Sequence, residues 1–384
     1  MPDKRLRVLY DHQIFSMQSL GGISRYYVEL VERYENQADV EVHLGAKEVL
    51  TFDLRDTATY RGHRPRPSTL LRNIYGLSKR RVGVDLMYWS NKRFSLNEVI
   101  KGDFDIFHPT YYDPYFLDAI GEKPFYLEVH DMTHEVYPEF FPLASKIPDW
   151  KRALVEKASR IVTVSENTRQ DLIRFYGVEP ERVRTIRQGI SLHPERSRSE
   201  DTPPDLPSRY VLFVGTRASY KNFYLFAEAV AAVMKEDRDL WLVCAGGGAL
   251  TSDEMRFLSR LGIEGRTRQY GINDSSLCQL YARAKAFIFP SLYEGFGLPV
   301  LEAFACGCPA VLADTSSLPE LGGEAAAYFA PKSFDSMKGA ISRVTADDEI
   351  RIKMIQKGRE RARLFSWDRT AEETKKVYME MAGR

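Results

Sequence analysis

Along the 384 residues, short apolar strand-like runs alternate with helix-periodic segments, and one proline-rich break divides that alternation near its middle. Alternation of this kind marks parallel α/β layers, because two parallel strands need a crossover long enough to hold a helix. In the first half the pattern predicts strands at 7–10, 40–44, 105–108, 125–130, 160–165 and 183–186. Helical periodicity falls between them at 23–35, 150–158 and 166–175. Residues 194–207 then collect Ser, Arg, Glu, Asp and four prolines, the composition of a linker. Alternation restarts with strands at 210–214, 240–245, 267–270, 286–290 and 310–313. Helices are predicted at 223–235, 275–284, 299–305, 335–344 and 349–364. A final helix at 367–381 can join either half.

The chain is too long for one ordinary core and suits two domains of under about 200 residues each. In open parallel sheets, ligands bind beyond the carboxyl ends of the strands, so two such units enclose a cleft. With 54 Lys+Arg against 53 Asp+Glu the formal net charge is only +1. No whole-molecule field therefore points to nucleic acid as a partner, and any phosphate binding must come from local groups. The four cysteines, Cys244, Cys278, Cys306 and Cys308, lack zinc-site spacing. Charged residues open the chain, and no apolar run nears the roughly 18 residues that span a bilayer. The expected compartment is a reducing cytoplasm.

The most informative stretch is 290–309, Pro-Ser-Leu-Tyr-Glu-Gly-Phe-Gly-Leu-Pro-Val-Leu-Glu-Ala-Phe-Ala-Cys-Gly-Cys-Pro. A strand ends at Pro290, Pro299 suits the first helical turn, and Gly307 and Pro309 stop the helix. Gly295 and Gly297 let a ligand approach the backbone. The first N–H groups of the helix have no intrahelical acceptor and make a ready phosphate site. Glu294 and Glu302, separated by seven residues, bracket this loop, so a sugar and a ribose can each meet a carboxylate. The alternative is a capping loop with two solvated glutamates.

At these residues the chain resembles the retaining GT-B glycosyltransferases of family 4, whose E-x7-E motif matches Glu294 to Glu302. The likeness extends to Gly21-Gly22, Val164-Ser165-Glu166, Val214-Gly215-Thr216, Lys221-Asn222, Tyr270-Gly271 and the run from Thr315 to Glu320. It implies GT-B architecture, with two Rossmann-like parallel-sheet domains facing an inter-domain cleft. Residues 1–190 would form the acceptor domain, 191–207 the linker and 208–365 the donor domain, with a helix at 366–384 returning to the first. It also implies a metal-independent hexosyltransferase without a cofactor, using GDP-mannose or a UDP-sugar on a glycan or lipid-linked acceptor. The His130-Asp131 and Gly21-Gly22-Ile23 stretches are most similar to mannosyltransferase members.

The resemblance assigns roles residue by residue. Arg217 and Lys221 would meet the charge building on the leaving diphosphate, where a cation about 4 Å away is worth about 4 kcal/mol at intermediate dielectric. They stand closer together than the family's pair, which makes Lys221 the firmer match. Glu302 would bind the ribose and Glu294 the transferred sugar. The backbone of Phe296, Gly297 and Leu298 would hold sugar hydroxyls and phosphate. Gly271 and Ile272 would meet the nucleobase, Gly22 the diphosphate, and His130 the donor sugar near its reacting carbon. Attack on the leaving-group side is preferred to a covalent adduct on Glu294. Rival functions are a nucleotide-sugar 2-epimerase, which would turn over donor without acceptor, and a non-catalytic nucleotide-sugar binder.

Other features imitate chemistry. His130-Asp131-Met132-Thr133-His134 copies a metalloprotease histidine pair, but one histidine ends a strand and Pro138 closes the segment. Asp103 and Asp105 precede a strand and read as a turn. Gly246 to Gly248 lacks the third glycine of a dinucleotide fingerprint. Tyr111, Tyr112, Tyr115 and Phe116 are either an acceptor platform or core. Residues 61–81 interleave seven cations with Leu70, Leu71, Ile74, Tyr75 and Leu77. They form either a solvated insertion or a basic segment resting on anionic lipid, at about 1 kcal/mol per cation.

Overall fold

A computed structural model describes residues 5–62, 82–192, 194–217 and 219–384; all of the basic segment 61–81 beyond residues 61 and 62 lies outside them. The first half carries β1 (Leu6–Tyr10), β2 (Val40–Leu44), β3 (Ile106–His108), β4 (Tyr126–Val129), β5 (Arg160–Thr163) and β6 (Val183–Thr185). These pair in parallel in the orders β2-β1-β3 and β4-β5-β6, and a parallel bridge between Phe107 and Phe125 joins the two groups. The second half carries β7 (Tyr210–Val214), β8 (Trp241–Ala245), β9 (Thr267–Tyr270), β10 (Ala286–Phe289), β11 (Ala310–Ala313) and β12 (Ala326–Phe329). Its order is β12-β11-β10-β7-β8-β9, all parallel. Strands β7, β10 and β11 are buried along their whole length, as helices on both faces of a parallel sheet require.

The strand order reverses direction between β7 and β10. That switch point leaves a crevice beyond their carboxyl ends, because the loops leaving neighbouring strands turn to opposite faces of the sheet. Lys221 follows β7 and Glu294 follows β10, so topology alone brings them to one place.

The helix Trp367–Met381 packs on the first half. Trp367 is buried against Tyr26, and the Tyr34 hydroxyl donates to Ala371 O at 2.8 Å. Each large side chain buried this way contributes roughly 1.5–3 kcal/mol. The proline-rich segment is no loose tether. Ser197 Oγ donates to Ser275 O at 2.9 Å and Thr202 Oγ1 to Gln279 at 3.1 Å, pinning it to the helix Asp274–Arg283.

Three elements depart from the sequence pattern. The helix Val82–Lys101 escapes it because Leu86, Met87, Tyr88 and Trp89 stand consecutively and mark no single face; Met87 is buried while Leu86 and Trp89 are exposed. The helix Ser252–Arg260 opens with a reciprocal Thr251–Glu254 capping box. Strand β12 is built from Ala, Ala, Tyr and Phe, residues held in place by register with β11 rather than by their own preference.

Candidate active site

The loop from Ser291 to Gly297 leaves β10 and enters the helix Leu298–Ala305. Two serines shape it from beneath. Ser316, in the left-handed region at φ 50°, places its Oγ 3.0 Å from the Glu294 N–H, and Ser317 Oγ bridges Glu294 O (2.9 Å) and Phe296 O (2.5 Å). Across the cleft, Gly295 O accepts from Ser165 Oγ at 2.6 Å and Thr168 Oγ1 at 3.1 Å. Position 295 admits only glycine, since a Cβ there would lie 1.8 Å from His130 O. The catalytic halves therefore meet backbone to backbone.

Lys221 closes a short 3-10 turn, Ser219–Lys221, and Asn222 at φ 56° starts the helix Phe223–Glu236. Asparagine tolerates this conformation, and its Nδ2 donates to Pro331 O at 2.7 Å. The turn aims Lys221 at Glu294, with Nζ 2.6 Å from Oε1 and within 5.1 Å and 5.5 Å of the Tyr220 and Phe289 ring centres. Burial alone would push the Lys221 ammonium down, but the Glu294 carboxylate outweighs it and the balance is raised. Lys221 is thus a fixed cation, and an ammonium has three donors, of which Glu294 takes one.

Facing this pair, His130 stands one residue past β4. Its N–H donates to Tyr112 Oη at 3.0 Å, and its ring packs edge-on against Tyr26 and Tyr27. Burial pushes the imidazole down to about 4, with Asp131 raising and Lys151 lowering it further. It is neutral at pH 7. Both ring nitrogens are buried without a hydrogen-bond partner among the described residues, a costly state that a polar ligand would relieve. Beneath it, the fully buried Lys151 donates to Asp131 O at 2.8 Å and pairs with Glu135 at 3.0 Å.

These groups enclose a cavity of about 340 Å³ between the halves. It is lined by His130, Lys221, Glu294, Gly22, Phe296, Gly297 and Leu298 from the sequence reading, and by Gln18, Asp131, Gln188, Gly215 and Tyr220, which that reading missed. Gly215 and Asp131 lie inside recognised stretches and Tyr220 flanks one; Gln18 and Gln188 carry no local signal. A larger cavity, about 540 Å³, lies between β6 and the 361–373 segment and shares only Gln188 with the smaller one.

Four predicted site residues do not line the 340 Å³ cavity. Glu302 is one turn up the helix, 3.3 Å from the Tyr281 hydroxyl; burial raises its carboxyl, and Arg25 pulls it back down. Gly271 and Ile272 follow β9, with Ile272 packed toward Gly246. Arg217 is engaged by other groups. Its guanidinium pairs with Glu254 at 2.8 Å and donates to the carbonyls of Gly246, Gly247, Gly248 and Ala249. A Cβ on Gly247 would sit 2.3 Å from Gly215 O, so this turn lies on the backbone next to the cavity, and Arg217 clamps it from behind. The aromatic run also divides: Tyr112 and Phe116 are core, while Tyr111 and Tyr115 retain partial exposure, Tyr115 with its hydroxyl bonded to Ser95. His134 stacks on Phe141 at 3.7 Å rather than pairing with His130.

Two parallel-sheet Rossmann-like halves, with a cation–carboxylate pair and a glycine loop at the switch point, define a GT-B glycosyltransferase. The family model for Glycosyl transferases group 1 matches residues 195–361, and that for Glycosyltransferase Family 4 matches residues 20–193. The O-antigen chain mannosyltransferase B of Escherichia coli is 30% identical over 286 residues, 71% of this chain and 74% of that one. The chain belongs to glycosyltransferase family 4 and is a hexosyltransferase.

Other relatives are more distant or match a shorter stretch. The MMP alpha-(1->4)-mannosyltransferase of Mycolicibacterium hassiacum is 25% identical over 306 residues, 74% of this chain and 72% of the relative. The D-inositol 3-phosphate glycosyltransferase of Corynebacterium glutamicum is 31% identical over 246 residues, 59% of each chain. Among solved structures, Anabaena HepE in complex with UDP and glucose superposes with a TM-score of 0.72 at 16% identity, covering 98% of this chain and 100% of that one. Sucrose-phosphate synthase from Thermosynechococcus elongatus gives 0.70 at 18% identity, covering 98% and 99%. At such identities the likeness concerns the fold alone. No described helix is long and apolar enough to cross a membrane.

Proposed function

We propose that this chain transfers mannose from GDP-mannose, with retention of configuration and without a metal, to a glycan or lipid-linked acceptor in surface polysaccharide or glycolipid synthesis. Residues 1–190 with the C-terminal helix form the acceptor half, and 208–365 the donor half. The observation that carries the reading is the Lys221–Glu294 pair at 2.6 Å, facing the glycine loop and an unpartnered neutral His130 across one cavity. The relatives named as mannosyltransferases favour mannose among hexoses.

In this scheme the donor diphosphate lies on the N-terminus of the helix Leu298–Ala305 with Lys221 beside it, so charge arriving in the transition state meets preorganised donors. Glu294 holds hydroxyls of the transferred sugar, Glu302 the ribose, and the turn at Gly271 and Ile272 the base. His130, kept neutral by burial, offers a ring N–H to the sugar without a competing positive charge. The acceptor hydroxyl attacks from the leaving-group side and passes its proton to the departing phosphate. Glu294 is already tied to Lys221, which suits a positioning carboxylate better than a nucleophile. Peripheral contact with the inner face of the membrane through residues 61–81 belongs to the same proposal. It predicts that neutralising Lys79, Arg80 and Arg81 weakens binding to anionic liposomes.

The test is a thermal-shift panel of GDP, UDP, ADP and dTDP, followed by transfer assays with the matching sugars. Binding only to the folded state raises its stability by mass action. The largest shift with GDP, and an α-linked mannosyl product from GDP-α-mannose, support the proposal. A preference for UDP overturns the donor, and a β-linked product overturns retention. Epimerised donor formed without acceptor would replace the reading with an isomerase.

A further inference from the structure

The helix Gly22–Glu35 of the first half begins at the cavity, where Gly22 approaches Leu298. Its fourth residue, Arg25, crosses the cleft. Arg25 Nη2 lies 2.7 Å from Oδ1 of Asp274, the first residue of the helix Asp274–Arg283 in the second half. Asp274 stands two residues beyond Ile272, at the turn assigned to the nucleobase. The Arg25 charge also reaches Glu302, the buried carboxylate assigned to the ribose, and is the largest influence offsetting the burial that raises it.

Other contacts across the cleft lie elsewhere, among them the Arg187–Glu320 ion pair at 3.0 Å and the Tyr293 hydroxyl on Asp171 at 2.7 Å. Ser165 and Thr168 grip Gly295 O, and the Glu320 carboxylate accepts from the N–H groups of Glu166 and Asn167. Those bonds end on backbone groups of the glycine loop and of the first turn of the helix Glu166–Tyr176. The Arg25–Asp274 pair joins two side chains at the nucleoside end. The Arg25 side chain is 21% exposed and Asp274 58% exposed, so this pair can break and re-form in water as the halves separate.

We propose that Arg25 is a positioning residue by which the first domain senses the nucleoside end of the donor. With the cleft closed, its guanidinium joins Asp274 and balances the charge of Glu302. With the cleft open, both carboxylates lose that partner, and Glu302 is left with the Tyr281 hydroxyl. Closure and ribose binding are then coupled: a nucleotide seated on Glu302 and the 271–274 turn is best held when Arg25 is in place. By the reciprocity of such coupling, nucleotide binding favours closure to the same degree. This rests on the donor-site reading given above.

The experiment measures GDP and UDP affinity by isothermal titration for the wild-type chain, Arg25→Ala, Asp274→Asn and the charge swap Arg25→Asp/Asp274→Arg. Small-angle scattering follows the radius of gyration with and without nucleotide. Each single substitution is expected to weaken the preferred nucleotide about fivefold, the scale of one partly exposed ion pair. It should also leave the nucleotide-bound form more open. The swap should recover affinity to within about twofold of wild type, a rescue that simple destabilisation cannot give. Wild-type binding with unchanged affinity in both single variants overturns the inference, as does a swap no better than its component substitutions. If the wild-type chain binds neither nucleotide, the donor-site reading itself falls, and the inference with it.

Discussion

Replacing Gly295 with alanine tests the closest approach in the molecule. The added methyl would lie 1.8 Å from His130 O and 2.8 Å from Asp131 Cβ and His130 C. Since carbon atoms essentially never come within 3.0 Å in such contacts, the loop and the His130 backbone must separate by at least about 1.2 Å. Neither side yields easily. The loop is held by Ser165, Thr168 and Ser317, and the His130 segment by Tyr112 and Lys151. Forced overpacking of this kind costs about 1–3 kcal/mol of stability. A displacement near 1 Å between reacting groups costs about 10²-fold in rate. The assay is kcat at saturating donor, with Tm followed in parallel. Gly339→Ala serves as control: that helical position has open space, so alanine should stabilise by about 0.5–1 kcal/mol. A Gly295→Ala enzyme with wild-type kcat and Tm would refute the backbone-to-backbone contact.

His130 gives a pH prediction. Its folded value of about 4 lies below the ordinary 6.5, so the unfolded chain binds the extra proton first and stability falls as pH drops from about 6.5 through 4. His130→Gln removes that contribution, so between pH 7 and pH 5 it should lose about 2 kcal/mol less stability than wild type in urea unfolding; identical losses would contradict the burial argument. Arg217→Met should destabilise by about 3 kcal/mol, because it strands Glu254 with 8% of its side chain exposed. Arg217→Met/Glu254→Gln, which keeps the bond from the Thr251 N–H, should recover much of that, with donor affinity near wild type in both; a selective loss of turnover would mark Arg217 as catalytic. Glu128, raised to about 8 by burial, should make the chain less stable as pH climbs from about 4.5 through 8. Glu128→Gln, which can still accept from the Tyr26 and Tyr126 hydroxyls, should flatten that decline in melts followed from about pH 4.5 to pH 8.

The alternation of the sequence carried most of the fold because each strand and helix is short, locally consistent and flanked by its own turn residues. The 290–309 run was legible for the same reason, with strand end, glycine loop, helix start and helix stop all within twenty residues. What stayed hidden depends on partners distant in the chain. Arg217 and Lys221 look alike by position, yet the three-glycine turn and Glu254 capture one while Glu294 captures the other. Arg25 carries no motif of its own, since its partner Asp274 is 249 residues away. The helix Val82–Lys101 hid behind consecutive apolar residues on opposite faces, and Tyr112 and Phe116 were settled as core only by the walls around them.

The account turns on where a diphosphate sits, and a crystal structure of the chain with GDP or UDP answers that directly. The β-phosphate should lie within hydrogen-bonding distance of Lys221 Nζ and the N–H groups at Gly297 and Leu298, with the ribose on Glu302. A nucleotide bound instead in the larger cavity beside Arg184, Arg187 and Arg361, with the glycine loop vacant, would contradict it.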